Sequence, residues 1–148
     1  MNKPAFITCP KRKPYRDSHL LKMAKGRVPV AQLPGHYDTP DTTVAAHPNG
    51  YIFGKGGASK ADDFLVIYIG YHAHAWFDQG NASREEKEAF YWGALLFQLN
   101  LYRNTLNDPY EPKKNKESAR KALEAFSNWV TQNQRLFEPG DWQLEWVR

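Results

Sequence analysis

The residues of this chain with the types and spacing to do chemistry are His47, His74 and Asp78. His74 and Asp78 are four apart, so on a helix they share one face, an imidazole beside a carboxylate. His47 closes the β-branched run Thr42-Thr43-Val44-Ala45-Ala46. A histidine at the end of a strand, followed by a helical pair of metal-capable residues, is the arrangement a small metal nuclease needs. Each residue also has an ordinary reading. A histidine at a strand end is most often a surface or hydrogen-bonded residue, and an i,i+4 His–Asp pair is often a plain helix-face contact. His72 stands two before His74 and is an alternative ligand if that segment is extended, whereas His36 falls in a turn and reads as structural.

The elements that must position these residues follow from the pattern. Asp17 or Ser18 caps a short helix carrying Leu20, Leu21, Met23 and Ala24, and Gly26 ends it. Val28 to Leu33 reads as a strand with a proline near its start, and residues 34–41 as a turn region. Thr42 to His47 is a second extended piece. The loop from Pro48 to Asp63 is rich in glycine (Gly50, Gly54, Gly56, Gly57) and carries Lys55, Ser59 and Lys60; its spacing is not that of a P-loop. Phe64 to Tyr71 reads as an apolar strand, Ala73 to Gln79 as the short helix holding His74 and Asp78. Ser83 with Glu86 forms a capping box for a long helix reaching Asn107. That helix is apolar nearly all round from Phe90 to Tyr102, so it is a core helix or a homodimer contact. Lys113 to Lys116 reads as a charged linker, Glu117 to Gln134 as a last amphipathic helix, and Trp142 and Trp146 as a tail folding back.

With 148 residues and 41% hydrophobic content, one domain with one core is expected. No apolar run approaches membrane-spanning length, the start does not look like a signal peptide, and the single Cys9 excludes an internal disulfide and a cysteine-rich zinc knuckle. A cytoplasmic protein with no membrane partner is the expectation. The net charge is +4, concentrated at the start: Lys3, Lys11, Arg12, Lys13, Arg16, Lys22, Lys25 and Arg27 stand against Asp17 alone up to residue 27. Such an arm either contacts phosphates or is simply solvated.

From Leu20 to Arg103 the chain resembles the small phage and prophage nucleases of the YbcO-like type, a branch of the HNH, or ββα-metal, endonucleases. The resemblance is carried by Leu20-Leu21-Lys22-Met23-Ala24-Lys25-Gly26-Arg27, Leu33-Pro34-Gly35, Thr43-Val44-Ala45-Ala46-His47, the loop Gly56 to Asp63, Ile69 to Asp78, and Lys87-Glu88, Gly93 and Gln98. It implies an α+β fold: an HNH-like ββα-metal domain over 17–106, a basic arm over 1–16, and a C-terminal helical extension over 107–148 packed on the same domain. It implies a metal-dependent endonuclease hydrolysing DNA, encoded by a phage and acting in the bacterial host cytoplasm. By analogy His47 is the general base, His74 and Asp78 bind Mg, Mn or a similar divalent ion, and Lys60 or Lys55 approaches the scissile phosphate. Lys11, Arg12, Lys13, Arg27 and Lys55 are the expected DNA contacts. The chain departs from the family at Pro29, Tyr37, Gly70 and Ala73, where zinc-binding cysteines stand in other members, so no structural zinc is expected. Ala46 replaces an acidic ligand found before the base in many HNH proteins, and Asp62 or Asp63 is the candidate to supply that carboxylate. The alternative is a degenerate ββα protein that binds nucleic acid, or assists recombination, without cleaving.

Overall fold

The computed structural model describes residues 13–49 and 60–133. Its elements run α1 (Ser18–Lys22), β1 (Val44–Ala46), β2 (Ile67–Ile69), α2 (Tyr71–Gln79), α3 (Arg84–Asn107) and α4 (Lys113–Gln132). Single 3-10 turns at Pro40–Thr42 and Asp63–Leu65 lead into the strands. The fold is α+β, with β1 and β2 antiparallel, Val44 opposite Ile69 and Ala46 opposite Ile67.

Both predicted caps form. The Asp17 carboxylate accepts the N–H groups of His19 and Leu20, and the Ser83 hydroxyl accepts that of Glu86. Gly26 follows α1 with φ +79°, the left-handed conformation that turns the chain away. The long helix has the expected bounds. The last helix starts earlier than expected, because Lys113 to Lys116 form its first turn behind Pro112 rather than a linker.

The strands are shorter than the pattern suggested. Asp63 to Leu65 form a turn rather than strand, and α2 opens at Tyr71. Val28 to Leu33 does not become a strand. Tyr68 offers its N–H and C=O on the side away from β1. Its carbonyl accepts from Val30 N–H at 2.8 Å, while its N–H is taken by Gln98 Oε1 of α3, also at 2.8 Å. Pro29 has no N–H to extend the pairing. A glutamine side chain thus fills the place of a third strand.

β2 is buried along its whole length and forms the centre of the core. Tyr91, Leu95, Leu99 and Tyr102 of α3 pack toward β2 and α4, and α4 contributes Ala119, Ala122, Phe126, Trp129 and Val130. Most of the apolar surface between Phe90 and Tyr102 is therefore used inside the chain, and Phe97 is the large residue of that stretch left exposed. Among the described residues no helix is long and apolar enough to cross a membrane.

The folded body begins earlier than position 17. Tyr15 N–H donates to Asp62 Oδ1 and Asp63 N–H donates to Tyr15 O, each at 3.0 Å, and the Tyr15 ring meets Phe64 edge-on. Tyr15 and Arg16, counted with the basic arm from sequence, belong to the domain. Lys11, Arg12, Cys9, Lys55, Trp142 and Trp146 lie outside the described residues.

Candidate functional site

Three histidine–aspartate pairs organise the β1–β2–α2 unit. The first lies just past the end of β1. His47 Nε2 is 2.8 Å from Asp63 Oδ1, and the aspartate side chain is only 3% exposed. Asp63 Oδ2 accepts the Asp17 N–H at 2.7 Å, and Arg16 reaches Oδ1 at 3.4 Å. Arg16 also donates to the carbonyls of Ala61 at 2.7 Å and Lys60 at 3.1 Å. The segment 15–17 is thus laced to 60–63, and the product is a fixed carboxylate that holds one nitrogen of His47. With Nε2–H donated to Asp63, Nδ1 carries the lone pair, and it makes no hydrogen bond among the described residues. This is the tautomer control by which a carboxylate readies an imidazole to take a proton.

The second pair lies at the opposite end of the hairpin, past Ile69. Asp38 is buried, and its carboxylate closes the N-terminus of α2. Oδ1 accepts His72 N–H at 2.9 Å and faces His72 Nδ1 at 2.7 Å, while Oδ2 accepts Ala73 N–H at 3.1 Å. Burial alone would raise this carboxyl. The two backbone donors and the His72 ring outweigh it and hold Asp38 below its ordinary value of 3.8. The carboxylate lies so close to Gly70 that a Cβ there would come within 2.2 Å of the Asp38 Cβ, so only glycine fits. His36 stacks on His72 with ring centroids 5.0 Å apart. Both histidines are therefore engaged with this corner.

The third pair is the one visible in sequence. His74 Nε2 lies 3.0 Å from Asp78 Oδ2 on α2, with the side chains 38% and 43% exposed. The structure brings these two together as a half-exposed pair on one face of α2. Among the described residues no cluster of three or more His, Cys, Asp or Glu side chains has a metal-holding arrangement. The pair alone still fits part of a coordination shell. Cis ligands of an octahedral ion bound at ~2.1 Å stand roughly 3.0 Å apart.

No protein-family model, curated protein or solved structure matches this chain. The site is therefore defined by its own geometry.

The cations divide into two groups. Arg27 is committed internally: its Nε donates to Met23 O at 2.7 Å, and its guanidinium meets both oxygens of Glu111, at 3.1 and 3.3 Å. That bidentate pair draws Glu111 below the ordinary carboxylate range, with help from Asn115. Arg27 ties α1 to the start of α4. Lys60 is exposed, three residues before Asp63, with its carbonyl held by Arg16. Lys13 is exposed and shares a shallow pocket with Pro14, Tyr15 and Arg16. Lys13, Arg16 and Lys60 therefore sit on the segments that flank His47.

Sequence reading missed the partnership of Asp38 with α2 and the clasp of Arg16. Asp38 carried no local signal, since its partners are 34 and 35 positions away. The adjacent acids Asp62 and Asp63 did carry one, and the structure assigns them different tasks: Asp62 anchors Tyr15, and Asp63 holds His47.

Proposed function

We propose that this protein is a metal-dependent endonuclease of the HNH-like, ββα-metal kind, hydrolysing DNA phosphodiester bonds with His47 as general base. The observation that carries this reading is the His47–Asp63 hydrogen bond at the end of β1, in a unit whose order is strand, strand, helix. Water adds to phosphorus, its proton passes to Nδ1 of His47, the bond from phosphorus to the sugar oxygen breaks, and that oxygen takes a proton from solvent water. Asp63 keeps the imidazole in the receptive tautomer and stabilises the imidazolium that results. Lys60 and Lys13 supply positive charge along the strand on either side. His74 and Asp78 would hold the divalent ion, which when bound stabilises charge on the phosphate and leaving oxygen.

The corner at Asp38 supports the same reading. The resemblance places zinc cysteines at Pro29, Tyr37, Gly70 and Ala73. Here the Asp38 carboxylate, one residue from Tyr37, lies against Gly70 and accepts the Ala73 N–H. A carboxylate cross-link thus joins the segments that carry three of those four positions.

The alternative reading is a protein of the same ββα kind that binds nucleic acid without cutting it. Incubating supercoiled plasmid with the protein separates the two. The nuclease reading expects open circles with Mg or Mn ions, none with chelator, and loss of the metal response in His74→Ala. Salt-sensitive binding with no nicking under any divalent ion would establish the second reading instead.

A further inference from the structure

We propose that Arg16 is a positioning residue for the general base: its guanidinium offsets the charge of the buried Asp63 carboxylate and so keeps His47 free to accept a proton. This rests on the nuclease reading and adds the group that governs its base. One oxygen carries the argument. Asp63 Oδ1 lies 2.8 Å from His47 Nε2 and 3.4 Å from Arg16 Nη1. The carboxylate therefore sits between an imidazole and a permanent cation, with its side chain 3% exposed. A carboxylate that faces an imidazole alone favours the imidazolium, which has no lone pair to take a proton from water. A guanidinium on the same oxygen cancels much of that pull and adds its own repulsion.

Arg16 is fixed in place. Nη1 donates to Ala61 O at 2.7 Å and Nη2 to Lys60 O at 3.1 Å, so the planar head is held against the segment that carries Asp63. The other charged and titratable groups around the pair are engaged elsewhere. The Asp17 carboxylate caps α1, and Asp62 accepts the Tyr15 N–H. Burial, above all, pushes the Tyr15 phenol up to about 12, so it is neutral at neutral pH. From α4, Arg120 and Glu124 act on Tyr15 with opposite charges. Lys60 is exposed. Apart from His47, Arg16 is the cationic side chain paired with Asp63 among the described residues.

The test is nitrogen NMR of the imidazole rings in the isotope-labelled full chain, in chelator at neutral pH, run beside the pH profile of cleavage. His47→Asn assigns the His47 signals. Wild type is expected to show His47 as a neutral ring with its proton on Nε2. Arg16→Gln removes the charge and is expected to move that ring toward imidazolium. The acid limb of its cleavage profile should rise by about half to one pH unit. Arg16→Lys restores the charge without the fork and is expected to recover most of both effects, which a purely mechanical clasp would not do. A folded Arg16→Gln whose ring and acid limb match wild type overturns the proposal, and so does an Arg16→Lys as altered as Arg16→Gln. Should Arg16→Gln not fold, wild type itself decides: a His47 ring already imidazolium at neutral pH overturns the proposal. The nuclease reading fails separately. A His47 ring that responds to Arg16→Gln, in a protein that cuts no DNA with any divalent ion, leaves the charge balance standing alone. Cleavage whose acid limb and His47 ring ignore Arg16→Gln leaves only the nuclease.

Discussion

The His47–Asp63 and His74–Asp78 pairs use the same two side chains at nearly the same separation, 2.8 and 3.0 Å, and differ in everything around them. The Asp63 carboxylate is buried and takes a backbone N–H and an arginine as well as the histidine. The Asp78 carboxylate stands in water with one partner on its own helix. The first arrangement fixes an imidazole in one orientation. The second leaves both groups free to exchange each other for a ligand. A base must be held and a metal ligand must be available, so the contrast matches the two roles assigned to them.

Substitutions can break this contrast, and the largest effect falls on the buried side. Asp63→Ala strands the Asp17 N–H and His47 at once, and should lower unfolding free energy by about 3–5 kcal/mol in urea titration. Asp63→Asn keeps the shape and part of the bonding, so its loss should be smaller. Asp38→Ala comes next. It removes three bonds at the start of α2, and a loss of about 2 kcal/mol is expected from the same titration.

Asp38 also makes stability depend on pH. Its carboxyl is held below 3.8 in the folded chain, so the unfolded chain binds that proton first as acid is added. Its contribution is complete above 3.8 and is lost as pH falls toward the lower folded value. The stability gap between wild type and Asp38→Asn should therefore narrow in that acid range and stay constant at neutral pH. A gap that widened with acid would reverse the assigned role. The smallest effect belongs to the exposed pair: Asp78→Ala should change stability by less than about 0.5 kcal/mol while weakening the response of cleavage to added Mn ions.

The two pairs also mark how far the chain was legible from sequence. His74 and Asp78 were found because helical periodicity turns a spacing of four into a contact. Ser83 and Glu86 marked α3 for the same reason: capping is local. The His47–Asp63 bond spans 16 positions and the Asp38–His72 bond 34, and only the folded hairpin brings them together. The central strands were placed but overextended. Apolar residues such as Phe64 and Leu65 are buried in a 3-10 turn as thoroughly as in a strand, so hydropathy does not separate the two. Val28 to Leu33 failed as a strand because Gln98, a polar residue on an apolar helix, took the Tyr68 N–H that it needed. The Arg27–Glu111 ion pair was not legible either, because nothing local announces a partner 84 positions on.

In the proposed reaction His47, held by Asp63, takes the proton from the attacking water. Single-turnover cleavage of an oligonucleotide substrate by His47→Ala tests it most directly, with circular dichroism to establish that the variant is folded. The cleavage rate should fall roughly 10²–10⁴-fold, with substrate binding unchanged. A folded His47→Ala that cleaves at the wild-type rate would contradict it.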